Sequence, residues 1–529
     1  MMMSKSLQSL RQNPILLLLA LNMLIGLFTF RDYGLSWDEP LFYDYASSLG
    51  YAYSPREWFS GDFNLDKVYG ASESDHANRG PAYILLAYPA VRLLEAFGVD
   101  SASAWHLINF LTFQLGVYLL YRLAKRSMND SAALASAAFF AWQPLLWGHA
   151  FINPKDPPFL VFFLGAMCLG FEAVDEVAEN GVHKTSKTVL AAFSLGIATS
   201  IRVLGPLAGF LVGLYGLSKA TRPTAATWLK SLALYTAVAL LVTFVTWPYL
   251  WTDPLQNFFR AFGFMSDNPT HLKVLFYGNL YHADALPHRY LPVLLGLTMT
   301  EVVWLLFPAG ALVGFWRQIS RARGMPAGDR SFHVEYWILF LWFLIPLGYV
   351  LLLRPPMYDG FRHFLFMLPP VFIIAGLVFE KMFAGIRTRW INLVLLAAIF
   401  APAVLGISQL HPYQYTYYNS FVGGTGGAFR EFETDYWLTC YKEAIQEFQS
   451  SGIEHATLYV NREGYIAQAY ADERLTVLER RGSWGKILPG DYILVNTRAN
   501  DDRQAFHDAP IVLEVGRAGA VFCVIKRIE

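Results

Sequence analysis

Long apolar runs separated by short polar links fill the first four-fifths of the chain. Runs of about 17 to 25 mostly apolar residues, the length that spans ~30 Å of hydrocarbon, fall near 14–30, 102–123, 131–150, 157–175, 187–202, 204–219, 230–250, 290–316, 334–353, 361–380 and 390–409. The pattern predicts a polytopic α-helical membrane protein with about eleven transmembrane helices. The stretch from 187 to 219 is long enough for one helix or two; Gly205-Pro206 breaks it. The first run follows Lys5 and Arg11 as a secretory leader would, but FTFRDYG stands where a small-x-small cleavage site belongs, so it reads as an uncleaved first span. Beyond residue 410 the period changes. ATLYV, LTVL, DYILVN, IVLEV and AVFCVIKR read as short strands and LTCYKEAIQEFQS as an amphipathic helix. A small α/β domain over 411–529 is therefore expected to follow a membrane domain over 1–410, with no internal repeat in either.

Short-link Lys and Arg set the orientation. Lys5 and Arg11, then Arg122, Lys125 and Arg126, then Lys219, Arg222 and Lys230, then Arg317, Arg321, Arg323 and Arg330, then Lys381, Arg387 and Arg389 all fall on one side if 187–219 makes two helices. With that side cytoplasmic, loops 31–101 and 251–289, the link 151–156, the PPMYDG loop and everything after about 410 lie outside. The N-terminus is then cytoplasmic and the C-terminal domain extracytoplasmic.

Composition agrees with this reading. At 55% hydrophobic and 16% charged residues, 529 residues carry more apolar surface than a soluble core could hide. Lys+Arg and Asp+Glu balance at 41 each, so nothing argues for a nucleic-acid partner. Three cysteines exclude a disulfide framework and a cysteine-based zinc site. Cys168 lies in an apolar run and reads as packing; Cys440 and Cys523 share the outer domain, either as a pair or as two free thiols.

Ionisable residues gather near the predicted outer helix ends: Asp38, Glu39, His76, Arg79, His149, Lys155, Asp156, Arg202, Asp253, His282, Asp284, His288, Arg289, Arg354, Asp359, Arg362 and His363. Such groups at a membrane boundary are costly unless they pair, line a wet cavity or serve a purpose. Lys155, Arg202, Arg354 and Arg362 suit an anionic phosphate, or equally ordinary lipid headgroups and pairs with Asp156 and Asp359. Asp38 suits a proton acceptor, or the N-cap of a helix with Pro40 in its first turn. Trp37, Tyr43, Tyr45, Tyr51, Tyr53, Trp58, Trp247, Tyr249 and Trp251 suit an interfacial aromatic belt, with sugar stacking as the special case.

Four stretches carry a resemblance. Trp37-Asp38-Glu39-Pro40, DHANRGPAYILLAYPAV with His76 and Pro81, FINPKDPPFLVF and RPPMYDGFRHFLFMLPP together resemble motifs of the C-type (GT-C) membrane glycosyltransferases, in particular the branch with protein O-mannosyltransferases and bacterial lipid A aminoarabinose transferases. The likeness runs over about 410 residues and fits the tail only loosely. It implies an inverting transfer of a sugar from a polyprenyl-phosphate-linked donor to a lipid, glycan or protein acceptor on the outer face of a bacterial inner membrane. By position it makes Asp38 the general base and lets Glu39 orient it or contact the sugar. Lys155 with Arg202 or Arg362 would balance the departing phosphate. Asp156, Tyr358 and His363 would order the pocket, and Asp359, His76 and Arg79 complete the donor-phosphate and substrate-binding set; the separation of His76 from Pro81 departs from the family pattern. No metal is preferred, because fixed cations can assist departure; Mg²⁺ or Mn²⁺ held by Asp38, Glu39 and Asp156 is the other option. The competing classes are a transporter or flippase of lipid-linked glycans, which would place charges through the midplane and repeat its halves, and a glycan polymerase or ligase.

Overall fold

A computed structural model describes residues 13–181, 183–221, 224–267, 270, 272–322, 331–386, 388–453 and 455–529. Lys5, Arg11, Arg222, Arg323, Arg330 and Arg387, part of the orientation argument, lie outside the described residues.

Each of the eleven apolar runs carries helix. Among the described residues, six helices are long and apolar enough to cross a membrane: Ser101–Ala124, Asp156–Asn180, Ala225–Thr246, Glu301–Ser320, Val334–Leu353 and Arg389–Leu410. Others are interrupted or shorter. The run near 131–150 divides into Asp130–Ala141 and Pro144–Ile152, and the run near 290–316 into Tyr290–Thr298 and Glu301–Ala322. The stretch 187–219 forms two helices, Thr185–Ile201 and Pro206–Lys219. Proline at the first turn needs no backbone donor there, so Pro206 opens the second helix and leaves Arg202 in the link.

Apolar surface sorts the helices into an inner and an outer set. Asp156–Asn180 has 83% of its apolar window buried and packs at the centre, whereas Ala225–Thr246 has 22% and Arg389–Leu410 11%. Charge sorts the two ends of the central helix. Asp156 opens it and Asp175 lies near its close, roughly 28 Å away at 1.5 Å per residue. At the Asp175 end, Arg126 reaches Asp175 at 2.5 Å and also pairs with Glu335, Lys219 approaches Asp175 at 3.5 Å, and Arg122 binds Glu172 at 2.5 Å. Four basic residues from three links, Arg122, Arg126, Lys219 and, on Glu380, Arg317, thus find carboxylates.

The opposite end meets the tail. All five predicted strands form: β3 (Ala456–Val460), β4 (Leu475–Glu479), β5 (Tyr492–Asn496), β6 (Ile511–Arg517) and β7 (Ala520–Arg527), in the order β4-β3-β5-β7-β6. The first three pair in parallel; β5–β7 and β6–β7 are antiparallel. Helix Tyr441–Ser450 buries Tyr441, Ala444, Ile445 and Phe448, spaced for one helical face. Cys440 and Cys523 stand as free, buried thiols in this unit, and Cys168 is buried among the helices. A small hairpin absent from the sequence reading, β1 (Lys273–Phe276) and β2 (Asn279–His282), rises from loop 251–289.

The tail is bound into the helical body rather than hung from it. Tyr415, Tyr418, Phe432 and Trp437 pack in the helical core, while Leu35 from the first loop packs in the core of the sheet. Tyr465 donates from its hydroxyl to the Trp37 carbonyl at 2.6 Å, and the Leu35 amide donates to Tyr470 at 2.8 Å.

Candidate active site

The site forms where three turns meet at the N-terminal end of the central helix. In the first, Asn153 Oδ1 accepts from the amides of Lys155 (3.1 Å) and Asp156 (2.9 Å), closing an Asx turn that starts the helix. Pro157 and Pro158 fit its first turn, and Asp156 sits where the positive end of the helix dipole favours an anion.

The second turn is Asp38-Glu39-Pro40. Asp38 does occupy the N-cap of helix Glu39–Ser48, but its carboxylate makes no capping hydrogen bond. Glu39 is committed elsewhere: it accepts from the Ser36 amide at 2.7 Å and from Tyr43 Oη at 2.7 Å, and faces His106 Nε2 at 3.1 Å. The Asp38 side chain, 25% exposed, is thereby left to the site.

The third turn is Tyr358-Asp359-Gly360. Asp359 and Gly360 adopt φ of 55° and 68°, a region open to glycine and tolerated by aspartate. The chain reverses there and points Arg362 inward.

Arg362 is the hub. Its guanidinium lies 3.7 Å from Asp38 Oδ2, 3.1 Å from Asp156 Oδ2 and 3.1 Å from Asp359 Oδ2, stacked 4.5 Å from the Trp437 ring and 5.2 Å from Tyr358. Asp156 is also bound by Arg202, and by Asn153 Nδ2 at 2.8 Å. Asp359 is bound by Arg498 at 2.7 Å. Three carboxylates therefore face three guanidiniums, nearly all of them buried, the arrangement a low-dielectric interior demands of ions.

Arg498 belongs to the tail and escaped the sequence reading. It leaves the sheet after β5, donates to the Tyr436 carbonyl at 3.0 Å and lies 4.8 Å over Trp37. Its neighbours Ala499 and Asn500 both have φ near +56°, and no periodicity signals such a turn. Glu433, 3.8 Å from Arg498, is another buried acid, and burial pushes its carboxyl up to about 7.

Next to this network lies a cavity of about 60 Å³. Arg79, Lys155, Arg202, Tyr358 and His363 line it; Asp38 and Arg362 stand beside it and not in its wall. Arg79 is fixed by Asp75 through two hydrogen bonds of 2.9 and 3.1 Å. It can lie here because Gly80 follows it: a Cβ on Gly80 would fall 1.6 Å from the Ser200 carbonyl oxygen. Lys155 is the exception to the pairing. It is 5% exposed, its Nζ lies 5.5 Å over the Phe42 ring, and that Nζ has no hydrogen-bond partner among the described residues. Burial, reinforced by Arg79 and Arg202, holds its ammonium well below the usual lysine range.

Other expectations are corrected. His76 is packed, its Nδ1 2.7 Å from the Tyr69 carbonyl and its ring stacked on Tyr45 at 4.6 Å; burial lowers its affinity for a proton. Trp247 and Tyr45 are fully buried and Tyr43 stacks on Trp105 at 5.0 Å, so these rings build the interior and not an interfacial belt. Arg354 contacts His288 at the surface, away from the hub. The ligand set suggested for Mg²⁺ or Mn²⁺ does not fit: Glu39 is engaged by Ser36 and Tyr43, and both oxygens of Asp156 are held by Asn153 and two arginines.

Comparison with known proteins agrees with this architecture. The family described as dolichyl-phosphate-mannose-protein mannosyltransferase matches residues 84–250. No curated protein matches the chain. Among solved structures, the oligosaccharyltransferase of Archaeoglobus fulgidus in its apo form superposes with a TM-score of 0.54 at 11% identity, over 91% of this chain and 69% of that one. The same organism's oligosaccharyltransferase AglB in complex with an inhibitory peptide and a dolichol-phosphate gives 0.53 at 12% identity, over 94% and 70%. ArnT from Cupriavidus metallidurans bound to undecaprenyl phosphate gives 0.48 at 13%, over 96% and 97%.

Proposed function

We propose that this chain, a C-type membrane glycosyltransferase by its fold and by the family match over 84–250, moves a sugar from a polyprenyl-phosphate carrier to an acceptor hydroxyl on the outer face of the membrane, with inversion. The observation that carries the reading is the buried, unpartnered Lys155 amine on a cavity shared with Arg79 and Arg202. Burial disfavours its charged form, and an anion arriving in the cavity would favour it again, so Lys155 is a site prepared for an anion from elsewhere. A carrier phosphate supplies that anion, and the AglB structure with dolichol-phosphate supports a carrier of this class.

The chemistry then divides among named groups. Asp38, free of capping and held 3.7 Å from Arg362, accepts the proton of the acceptor hydroxyl as its oxygen bonds to the anomeric carbon. The bond from that carbon to the phosphate oxygen breaks, and Lys155, Arg79 and Arg202 neutralise the charge gained by the departing polyprenyl phosphate. Asp156 and Asp359 fix the arginines, Tyr358 and His363 shape the wall, and Glu39 holds the Asp38 turn. The N-terminus and the Arg126–Asp175 end are cytoplasmic in this reading, the helices span a bacterial inner membrane, and the sheet domain lies outside it. A flippase is less favoured because the charged clusters occupy the two ends of the central helix, roughly 28 Å apart, and not its middle.

Asp38→Asn is the decisive variant. In membranes supplied with a polyprenyl-phosphate sugar, transfer is expected to fall about 10²–10⁴-fold, the usual weight of a general base, with or without a chelator. Full activity in Asp38→Asn ends the proposal.

A further inference from the structure

Two adjoining hollows of about 480 Å³ each open on the tail, sharing Arg462, Arg481, Asp501 and Gln504. Together they form a trough between the loops after β3, β4 and β5 and the hairpin β1–β2. Each half has the volume of an ordinary small-molecule site, about 300–1,000 Å³. Its lining carries four cations, Lys273, Arg462, Arg480 and Arg481, against one carboxylate, Asp501. Asp501 is committed to Arg462 at 2.7 Å, and Glu463 acts on Arg462 and Arg481 from outside the lining, so it is the lining itself that carries more positive than negative groups. Asn461 and Gln504 add amides, and Leu272 and Leu280 give one side an apolar wall. Cations, amides and a short apolar surface are the groups that hold a charged sugar, whose hydroxyls need donors and acceptors and whose acid needs guanidinium.

The trough also adjoins the catalytic network. The turn that carries Arg498 to Asp359 carries Asp501 into the trough three residues later, at most about 11 Å along the chain. We propose that this trough docks the acceptor and that the acceptor is an acidic saccharide, bearing carboxylate or phosphate. The assignment rests on the glycosyltransferase reading above and adds to it the substrate class and the surface that selects it.

The test uses the full chain in detergent. Binding of trigalacturonate (carboxylates), glucose 6-phosphate (a phosphate) and maltotriose (neutral) is measured by calorimetry at low and high salt. One or both acidic sugars should bind, weakening with salt, and maltotriose should not. Lys273→Ala with Arg481→Ala, both at exposed positions, should weaken that binding tenfold or more while thermal unfolding stays unchanged. The carboxylate and phosphate arms tell which acid is read. Equal binding of maltotriose, no binding of either acidic sugar, or binding unaffected by the double variant overturns the proposal. Asp38→Asn run in parallel separates the two readings. It should retain acidic-sugar binding while losing transfer; if it keeps transfer, the catalytic reading fails and the binding result still judges the trough.

Discussion

Removing Arg362 tests the hub most directly. Arg362→Met keeps much of the side-chain volume and deletes the charge that three carboxylates share. At 3.1 Å, in an effective dielectric near 20, each of the contacts to Asp156 and Asp359 is worth about 5 kcal/mol before desolvation is counted. Part of that is returned because the arginine no longer has to be buried, and breaking one member of a buried ion network costs about 3–5 kcal/mol net. Spread over an unfolding entropy of ~2.1 cal/mol/K per residue, a loss of ~4 kcal/mol lowers the melting midpoint of a chain this long by about 4 °C. Arg362→Lys restores one charge but cannot fork to two carboxylates, so it should fall between. The assay is thermal unfolding in detergent followed by the emission of the fifteen tryptophans, among them Trp437 against Arg362. A double cycle with Asp359→Asn should show coupling. If Arg362→Met melts within about 1 °C of the parent and the two changes add, the hub does not exist as described.

Glu433 predicts a pH slope. Its folded carboxyl titrates at about 7 against 4.5 when unhindered, so between those values the folded chain keeps a proton that the unfolded chain has released. Stability therefore falls as pH rises through this window, by about 3 kcal/mol across it, and Glu433→Gln should flatten the slope in melts taken from pH 4.5 to 7. Gly80→Ala forces a methyl onto the Ser200 carbonyl; it should destabilise the fold by about 1–3 kcal/mol and displace Arg79, so wild-type melting and transfer would refute the close approach.

Much of this was legible in the chain itself. Hydrophobic runs long enough to span a bilayer became helices because backbone polar groups in an apolar setting must bond within their own segment, and period-two alternation after 455 became the sheet for the reason that strands show alternate faces. The break at Gly205-Pro206, which leaves Arg202 in the link, followed from proline's missing donor. The sequence alone also brought Asp38, Lys155, Asp156, Arg202 and Arg362 to one end, since each sits at the same boundary of its own run.

What it could not decide was partnership. Adjacent Asp38 and Glu39 look alike in sequence, yet Glu39 turns to Ser36 and Tyr43 and Asp38 turns to Arg362, a choice made by which groups a distant turn presents. Lys155 looks no different from Arg202 until packing leaves one of them without an anion. Arg498 entered the network from a strand end nearly 140 residues beyond Asp359, through a left-handed turn with no periodic signature. Local pattern fixes which residues are buried and at what depth; only the packing of remote segments fixes which charges meet, because ion pairing depends on a few ångströms of separation that no one-dimensional spacing encodes.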